Sequence, residues 1–588
     1  MSVLGSPNEP ANTTGPTGNR VSGVVRSVAA LLPRWSEWKP ALRAPGADLL
    51  SGLIVALVAL PLALGFGVSS GLGAAAGLTT AVIAGAVAAV FGGSRFQVSG
   101  PTGAMTVVLV PIVAQYGPTG VLAVGLIAGV VLVALAFAGI GRAVRYMPAP
   151  VIEGFTAGIA VVIALQQVPA ALGISGAEGE KVWQSAFDAV HKFVADPSIL
   201  TPSIALVVAV AILIGGRFFP RIPFSLVAVA AATVVAQLFG WDIARIGAIP
   251  SGFSAPTLSF LDLGNLTSLI APALAVAALA ALESLLSATA ADSMAVGTRH
   301  DPDRELFGQG LANIAAPLFG GVPATGAIAR TAVNVRSGAR TRLAALTHAL
   351  ILAAIVYLAA GLVAEIPLSA LAGVLLATTV RMVETASVLA IARAGRADTV
   401  VMIATFLVTV VFDLVTAVAV GVGFAALLAL RAVAKSARIE QVPLEQGDHL
   451  AEEHELLREH IVAYRIEGAL FFAAAHRFLL ELAEVADVKV VILRMSRVTA
   501  LDATGAIVLK DAITKLEHRH ITVLISGTKP EHVRPLEAVG VFTTSDGQER
   551  PVFETTPRAI GFARMLVLPD SHYASTGTGT GTGTGTED

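Results

Sequence analysis

Two short stretches decide the fold of this chain: Phe91-Gly-Gly with Pro101-Thr-Gly-Ala104, and Phe319-Gly-Gly with Pro323-Ala-Thr-Gly-Ala327. In each, the Phe-Gly-Gly triplet ends one apolar run, and a proline followed by Thr-Gly-Ala opens a shorter one. An odd number of apolar runs, seven, separates the two sites, so the second would lie inverted relative to the first. Segments interrupted by Gly and Pro at matching places in two halves predict an inverted-repeat transporter site. Chance similarity between Gly/Ala-rich membrane segments is the alternative.

The composition indicates a membrane protein. Of the 588 residues, 55% are apolar and only 14% are charged, whereas a soluble domain carries roughly a quarter charged residues. The formal net charge of -2 gives no support to nucleic-acid binding. The chain has no cysteine, and its histidines show no metal-ligand spacing, so we expect no metal, no cofactor and no enzymatic activity.

Fourteen apolar runs lie between residues 49 and 434, most of them of spanning length. They cover residues 49–65, 73–91, 101–115, 119–140, 150–170, 201–216, 223–240, 268–292, 306–320, 325–337, 342–363, 367–384, 398–412 and 414–432. The loops after even-numbered runs hold twelve Arg or Lys residues, and those after odd-numbered runs hold three. Because positive loops stay inside, we predict a multi-pass cell-membrane protein with both termini cytoplasmic.

The sequence outside these runs predicts four further segments. Residues 1–48 are polar and Pro/Gly-rich, which favours a disordered cytoplasmic arm, with no sign of a cleaved signal peptide. Strands alternate with helices from residue 460 to 568, which predicts a small α/β domain. The segments in order are the N-terminal arm 1–48, the transmembrane domain 49–434, a linker 435–459, the α/β domain 460–568 and a flexible tail 569–588.

The two broken runs predict an anion site. Amide groups at a helix start are unpaired, and the aligned peptide dipoles place partial positive charge there. Two half-helices that begin inside the membrane and point at each other therefore bind an anion without any formal charge. The turns Thr102-Gly103-Ala104 and Thr325-Gly326-Ala327 fit this description, with tight helix packing as the alternative.

Two charged residues lie within apolar segments. Arg330 follows Gly326 by one turn, and because a central membrane arginine costs at least ~2.5 kcal/mol on insertion scales, it needs a compensating role. It is either a fixed positive charge beside the anion, or an arginine that snorkels or pairs with a carboxylate. Glu283 lies about 18 Å into its run, where it could carry a proton, pair with Arg330, ligate a cation or serve as a structural hydrogen-bonding group. Ser287, four residues on, shares its helix face.

Longer motifs carry a resemblance to a known family. The segment from Gly297 to Asn313 (GTRHDPDRELFGQGLAN) with Leu318-Phe-Gly-Gly-Val-Pro323, the tetrapeptide Val98-Ser-Gly-Pro101, and Val151-Ile-Glu-Gly-Phe-Thr-Ala-Gly158 resemble the signature of the SulP anion transporters, also called solute carrier family 26. The C-terminal domain resembles a STAS domain, with Val490–Arg494 as a strand and Asp502-Ala-Thr-Gly505 at a helix start.

The resemblance implies fourteen transmembrane segments as a 7+7 inverted repeat of core and gate, elevator-like alternating access, and a homodimer. It places substrate between the starts of the third and tenth spans, flanked by the first and eighth. The substrate positions carried over are Phe66, Thr102, Gly103, Ala104, Thr325, Gly326, Ala327, Ile328, Ala329 and Arg330, and the coupling-ion positions are Glu283 and Ser287. Leu62 and Ala329 stand where some members have glutamine and serine, so backbone amides must carry more of the recognition.

Thr504 stands where soluble STAS proteins carry a phosphorylatable serine. A regulatory role through a cytoplasmic protein partner is therefore one interpretation. A plain helix cap is the other, because Asp and Thr favour that position.

We expect secondary active uptake of sulfate, bicarbonate or a C4-dicarboxylate as symport with H⁺ or Na⁺, with protons favoured by the glutamate. An uncoupled channel or exchanger is the first alternative. Its uptake would be unaffected by a proton uncoupler and by removal of sodium. A membrane-anchored STAS signalling scaffold is the second, and it would lose all function on deletion of residues 440–588.

Overall fold

The structure is a computed structural model, and it describes residues 31–567 except 143–146, 180, 220–221, 251, 262–263, 265, 296–298, 413, 437, 443–459 and 471–487. The chain divides into two compact units, Met1–Gly423 and Phe424–Asp588. In the described residues of the first unit, the regular structure consists of helices and one pair of two-residue strands.

The helices of the transmembrane region follow one another along the chain, and the longest connection between them covers residues 239–265. They are α1 (Lys39–Arg43), α2 (Gly46–Ser69), α3 (Ala74–Phe91), α4 (Gly103–Phe137), α5 (Ala149–Leu172), α6 (Val182–Ala195), α7 (Leu200–Phe218), α8 (Phe224–Leu238), α9 (Leu266–Met294), α10 (Pro302–Leu318), α11 (Ile328–Arg336), α12 (Leu343–Ala364), α13 (Leu368–Met382), α14 (Thr385–Ala394), α15 (Arg396–Val411) and α16 (Leu414–Ser436). Strand β1 (Ser99–Gly100) precedes α4, and strand β2 (Thr325–Gly326) precedes α11.

Each predicted apolar run coincides with one of these helices or with half of one. The third and fourth runs are the two halves of α4, which breaks at Gly117, where φ is 70°, just before Pro118. Eight helices in the described part of the chain are long and apolar enough to cross a membrane. The count of fourteen spans remains a prediction, and the sequence patterns did not predict α6 and α14.

The transmembrane helices pack closely where glycines face each other. Helix α10 packs against both α3 and α4. A Cβ atom at Gly308 would lie 2.4 Å from the amide nitrogen of Gly92, and one at Gly310 would lie 2.9 Å from the carbonyl oxygen of Gly129. Backbones can approach this closely only where side chains are absent, as is common between membrane helices. The start of α10 is thereby held against the end of α3.

The described end of the N-terminal arm is ordered, contrary to the disorder expected from its composition. A 3-10 turn, Trp35–Glu37, and helix α1 precede α2. The reason is electrostatic, because the carboxylate of Glu37 pairs with Arg304 and Arg342. Residues 1–30 lie outside the described residues.

The second unit contains a five-stranded sheet in the order β3 (Arg438–Val442), β4 (Ile461–Leu470), β5 (Val490–Leu501), β6 (Thr522–Ser526) and β7 (Val552–Phe553). Strand β3 runs antiparallel to β4, and the remaining neighbours are parallel. Helices α17 (Ala503–His518), α18 (Pro530–Ala538) and α19 (Thr556–Val567) accompany the sheet. The α/β prediction is confirmed, although residues 471–487 of the predicted domain lie outside the described residues.

Candidate functional site

Strands β1 and β2 bring the two broken segments together. They pair antiparallel, with Ser99 opposite Gly326 and Gly100 opposite Thr325. The amide of Ala327 extends the pairing by donating to the carbonyl of Val98 (2.9 Å). Both strands are buried. Because each strand leads into a helix, the antiparallel pairing makes the starts of α4 and α11 face each other, as the inverted repeat predicted.

The first turn of each helix leaves amide groups without a partner. In α4, Thr102 is the N-cap and its hydroxyl accepts from the Met105 amide. The amides of Gly103 and Ala104 are left without a hydrogen-bond partner among the described residues. In α11 the N-cap residue gives no side-chain hydrogen bond, and the first helical bond joins the amide of Thr331 to the carbonyl of Ala327. The first-turn amides before it, at residues 328–330, have no hydrogen-bond partner among the described residues. Unpaired amides and aligned helix dipoles at these starts attract negative charge.

Glu283 joins the two broken segments from helix α9. Its Oε2 accepts from the hydroxyls of Thr102 (2.8 Å) and Thr325 (2.7 Å), and these two hydroxyl oxygens lie 3.0 Å apart. The neighbouring Ser284 accepts from the amide of Gly326 (2.9 Å). The described residues contain no ion pair between Glu283 and Arg330, so the carboxylate is held by hydroxyl groups.

Arg330 is 2% exposed and donates from Nη2 to the carbonyl of Pro101 (2.7 Å). The side chain of Arg330 therefore extends from α11 to the start of the opposite half-helix, α4. This position excludes the interpretation that the arginine snorkels to the membrane surface. Its Nη1 has no hydrogen-bond partner within the described part of the chain. A Cβ at Gly100, where φ is 154°, would lie 2.6 Å from this Nη1, so a glycine makes room for the guanidinium.

The remaining predicted site residues differ in their surroundings. Phe66 is buried, and its ring borders Gly103, since a Cβ there would lie 3.1 Å from the ring edge. Ile328 and Ala329 are exposed at the start of α11. Ser287 donates to the hydroxyl of Thr331 (3.2 Å) and makes no hydrogen bond to Glu283. Its assignment as a coupling-ion ligand stays a prediction.

A polar network behind the half-helices carries residues to which the sequence patterns gave no role. The carboxylate of Glu305 accepts from the side chains of Gln97 (2.8 Å) and Gln309 (3.0 Å) and from the amides of residues 93 and 94. The side chain of Asn313 accepts from the amide of Ala324 (2.8 Å) and donates to its carbonyl (2.9 Å). These buried groups fix the loops that lead into β1 and β2. The sequence did hold a signal for this network: the carboxylate of Glu305 and the side-chain amides of Gln309 and Asn313 all lie in helix α10.

Thr504 lies exposed in the first turn of α17. The cap at this helix start is Asp502, whose carboxylate accepts from the amide of Gly505 (2.7 Å). The capping interpretation therefore belongs to Asp502, and the regulatory interpretation of Thr504 stays a prediction. Among the described residues, no group of three or more His, Asp or Glu side chains could hold a metal ion.

Apolar spanning helices around two opposed half-helices, with a buried arginine and a carboxylate between them, define a polytopic membrane transporter. The sequence pattern of the sulfate permease family matches residues 46–405, and that of the STAS domain matches residues 456–559. The chain belongs to the sulfate permease (SulP) family, whose members are transporters rather than enzymes.

Relatives and solved structures agree with this assignment. YvdB of Bacillus subtilis (strain 168), described as a candidate sulfate transporter, is 36% identical over 84% of this chain and 94% of its own length. The bicarbonate transporter BicA of Picosynechococcus is 30% identical over 84% of this chain and 91% of its own length.

Among solved structures, the transmembrane domain of a cyanobacterial BicA has a TM-score of 0.58 at 34% identity, covering 64% of this chain and 97% of that one. The overall structure of SLC26A9 has a TM-score of 0.77 over 97% of this chain and 99% of that one. At 16% identity the second likeness concerns the fold alone.

Proposed function

We propose that this chain carries out secondary active transport of a small anion, namely sulfate, bicarbonate or a C4-dicarboxylate. The observation that carries the proposal is the meeting of two sets of unpaired helix-start amides beside Arg330. An anion at this place gains helix-dipole and amide interactions from α4 and α11 together with one formal charge. The names of the relatives YvdB and BicA support sulfate and bicarbonate as the first anions to test.

Glu283 is the proposed coupling residue, and a count of protons supports H⁺ over Na⁺. Three oxygen atoms, one from Glu283 and one each from Thr102 and Thr325, lie within hydrogen-bond distance of one another. The two hydroxyl groups supply two protons, but a closed ring of three hydrogen bonds needs three. A protonated carboxyl group supplies the third. Loss of that proton would leave one of the three contacts without a hydrogen atom.

An elevator-like movement would carry the whole site as one body. The pairing of β1 with β2 ties the starts of α4 and α11, and the bond from Gly326 to Ser284 ties both to α9. Elements joined in this way keep their geometry while the core moves against the gate. Within this proposal the chain works as a homodimer in the cell membrane, with both termini cytoplasmic.

Uptake into proteoliposomes containing the purified full chain tests the transport proposal. We expect at least one of sulfate, bicarbonate, fumarate and succinate to accumulate against its gradient, and we expect a proton uncoupler to abolish the accumulation. Accumulation that needs sodium and ignores the uncoupler would replace H⁺ by Na⁺. Uptake indifferent to both would refute symport and favour the channel or exchanger.

The orientation can be tested without background labelling, because the chain has no cysteine. Asp196 and Thr504 are both exposed, the first in a loop predicted to lie outside and the second in the STAS domain. In intact cells, a membrane-impermeant maleimide should label Asp196→Cys at once and Thr504→Cys only after permeabilisation. The reverse order would overturn the assigned orientation.

A further inference from the structure

A second cluster of buried charges shares no residue with the proposed transport site. The carboxylate of Glu37 receives both terminal nitrogens of Arg304, with Nη1–Oε1 at 2.5 Å and Nη2–Oε2 at 2.9 Å. The Nε of Arg342 lies 3.1 Å from the same Oε2. The side chains of the two arginines are only 7% and 3% exposed, whereas that of Glu37 is 16% exposed. Two buried guanidinium groups thus enclose one carboxylate.

The two arginines are positioned by other groups as well as by Glu37. The Nε of Arg304 donates to the carbonyl of Phe91 (3.3 Å), and Nη1 of Arg342 donates to the carbonyl of Gly92 (2.5 Å). These carbonyls end helix α3, where the last turn leaves acceptors without intrahelical donors. We therefore expect the arginine pair to keep its place when the carboxylate is removed.

The turn that carries Glu37 lies between two buried residues, Leu31 and Ala41, and is itself largely exposed. This three-residue 3-10 turn contains no buried residue, and the neighbouring Trp35 is 67% exposed. Burial would raise the pKa of Glu37, but the ion pairs with Arg304 and Arg342 lower it below its ordinary value, so the carboxylate is ionised at neutral pH. The nearby carboxylate of Glu305 already accepts four hydrogen bonds and is not free to replace it.

We propose that Arg304 and Arg342 form a second anion-binding site, for which the carboxylate of Glu37 is a built-in occupant. The site takes a small carboxylate or inorganic oxyanion with two adjacent oxygens, because the planar guanidinium fork of Arg304 matches that shape. When the turn Trp35–Glu37 moves away, a free anion replaces its carboxylate. The N-terminal segment and small anions thus compete for one position at the start of α10.

Chemical rescue of Glu37→Ala in the full-length protein tests this site, with formate as the probe. We expect the substitution to lower the thermal unfolding midpoint, because two buried positive charges lose their counter-ion. Formate should restore the midpoint saturably when it replaces chloride at constant ionic strength. The wild type should show no such restoration, and Glu37→Ala combined with Arg304→Gln should not respond to formate.

One further variant separates this site from the transport site. Glu37→Ala combined with Arg330→Gln should keep the response to formate, since Arg330 belongs only to the transport site. Loss of the response there would place the formate effect at the transport site and overturn the proposal. An unchanged midpoint in Glu37→Ala, or rescue that survives Arg304→Gln, would overturn it as well. If Glu37→Ala fails to express, Glu37→Ser also vacates the position of the carboxylate and is scored by the same outcomes.

Discussion

The same tripeptide, Thr-Gly-Ala, opens α4 and α11 in different ways. In the first copy, Thr102 is the N-cap and the helix begins at the glycine. In the second, Thr325 and Gly326 form strand β2, so that the helix begins two residues later, with Ala327 as an N-cap that lacks a side-chain hydrogen bond. The first opening is thus capped by its own threonine and leaves two amides bare, whereas the second has no side-chain cap, leaves the amides of residues 328–330 bare and adds Arg330. We infer that α11 supplies most of the anion affinity and that α4 supplies alignment.

Substitution of Arg330 should have the largest effect, a loss of anion affinity. Replacing Arg330 by Ala removes the only formal positive charge of the transport site in the described part of the chain. Hydrogen bonds to charged groups contribute about 1.5–3 kcal/mol, so anion affinity should fall by about 10- to 150-fold. Arg330→Lys keeps the charge but has one terminal nitrogen in place of two, so it cannot bond to the Pro101 carbonyl and present a second nitrogen to the anion; its affinity should lie between those of wild type and Arg330→Ala. Isothermal titration with the transported anion measures the change, and an affinity within twofold of wild type would remove Arg330 from the site.

The second effect concerns the carboxylate that both openings share. In Glu283→Gln the side chain keeps nearly the same volume and can still hydrogen-bond to Thr102 and Thr325, but the amide is uncharged and does not titrate, so the site no longer exchanges a proton. We expect anion binding to persist, whereas uptake should become independent of pH and of the proton gradient. Glu153→Gln, which removes a half-buried carboxylate from helix α5, is the matched control and should leave the pH profile intact. An unaltered profile in Glu283→Gln would show that this residue does not carry the proton.

The sequence predicted where the two openings lie but not how they differ. Proline, glycine and threonine at matching places marked the breaks, because proline and glycine disfavour a helix interior and threonine favours a helix start. The pairing of β1 with β2 depends on contacts more than 200 residues apart, which local patterns do not encode. For the same reason the patterns chose Ser287, which donates to Thr331 one turn into α11, whereas Ser284 is the serine that accepts from the amide of Gly326 at the break itself. The 3.6-residue period of a helix predicts which residues share a face of that helix. It does not predict which face packs against the neighbouring helices.

The third prediction compares the thermal stability of variants at the two threonines, Thr102 and Thr325. Thr102→Val removes the N-cap of α4 as well as the hydrogen bond to Glu283, whereas Thr325→Val removes only contacts of the ring. Losing an N-cap costs about 0.5–2 kcal/mol, so Thr102→Val should have the lower thermal unfolding midpoint. Both variants should disturb proton coupling to a similar extent. Equal midpoints would mean that the cap contributes nothing and that the two openings are equivalent in stability.

The smallest effect comes from adding a hydroxyl group at equivalent positions of the two openings. Ala329 and Ala104 are each the second residue of their helix, but Ala329 is exposed and Ala104 is only 3% exposed. A serine at position 329 could donate to a bound anion, and one neutral hydrogen bond contributes about 0.5–1.5 kcal/mol, so affinity should rise by about 2- to 12-fold. At position 104 the hydroxyl would face packed protein, and we expect no gain in affinity. Titration of both variants with the same anion decides the matter: a gain at position 104 alone would assign the main anion contact to α4 and reverse the roles inferred for the two openings.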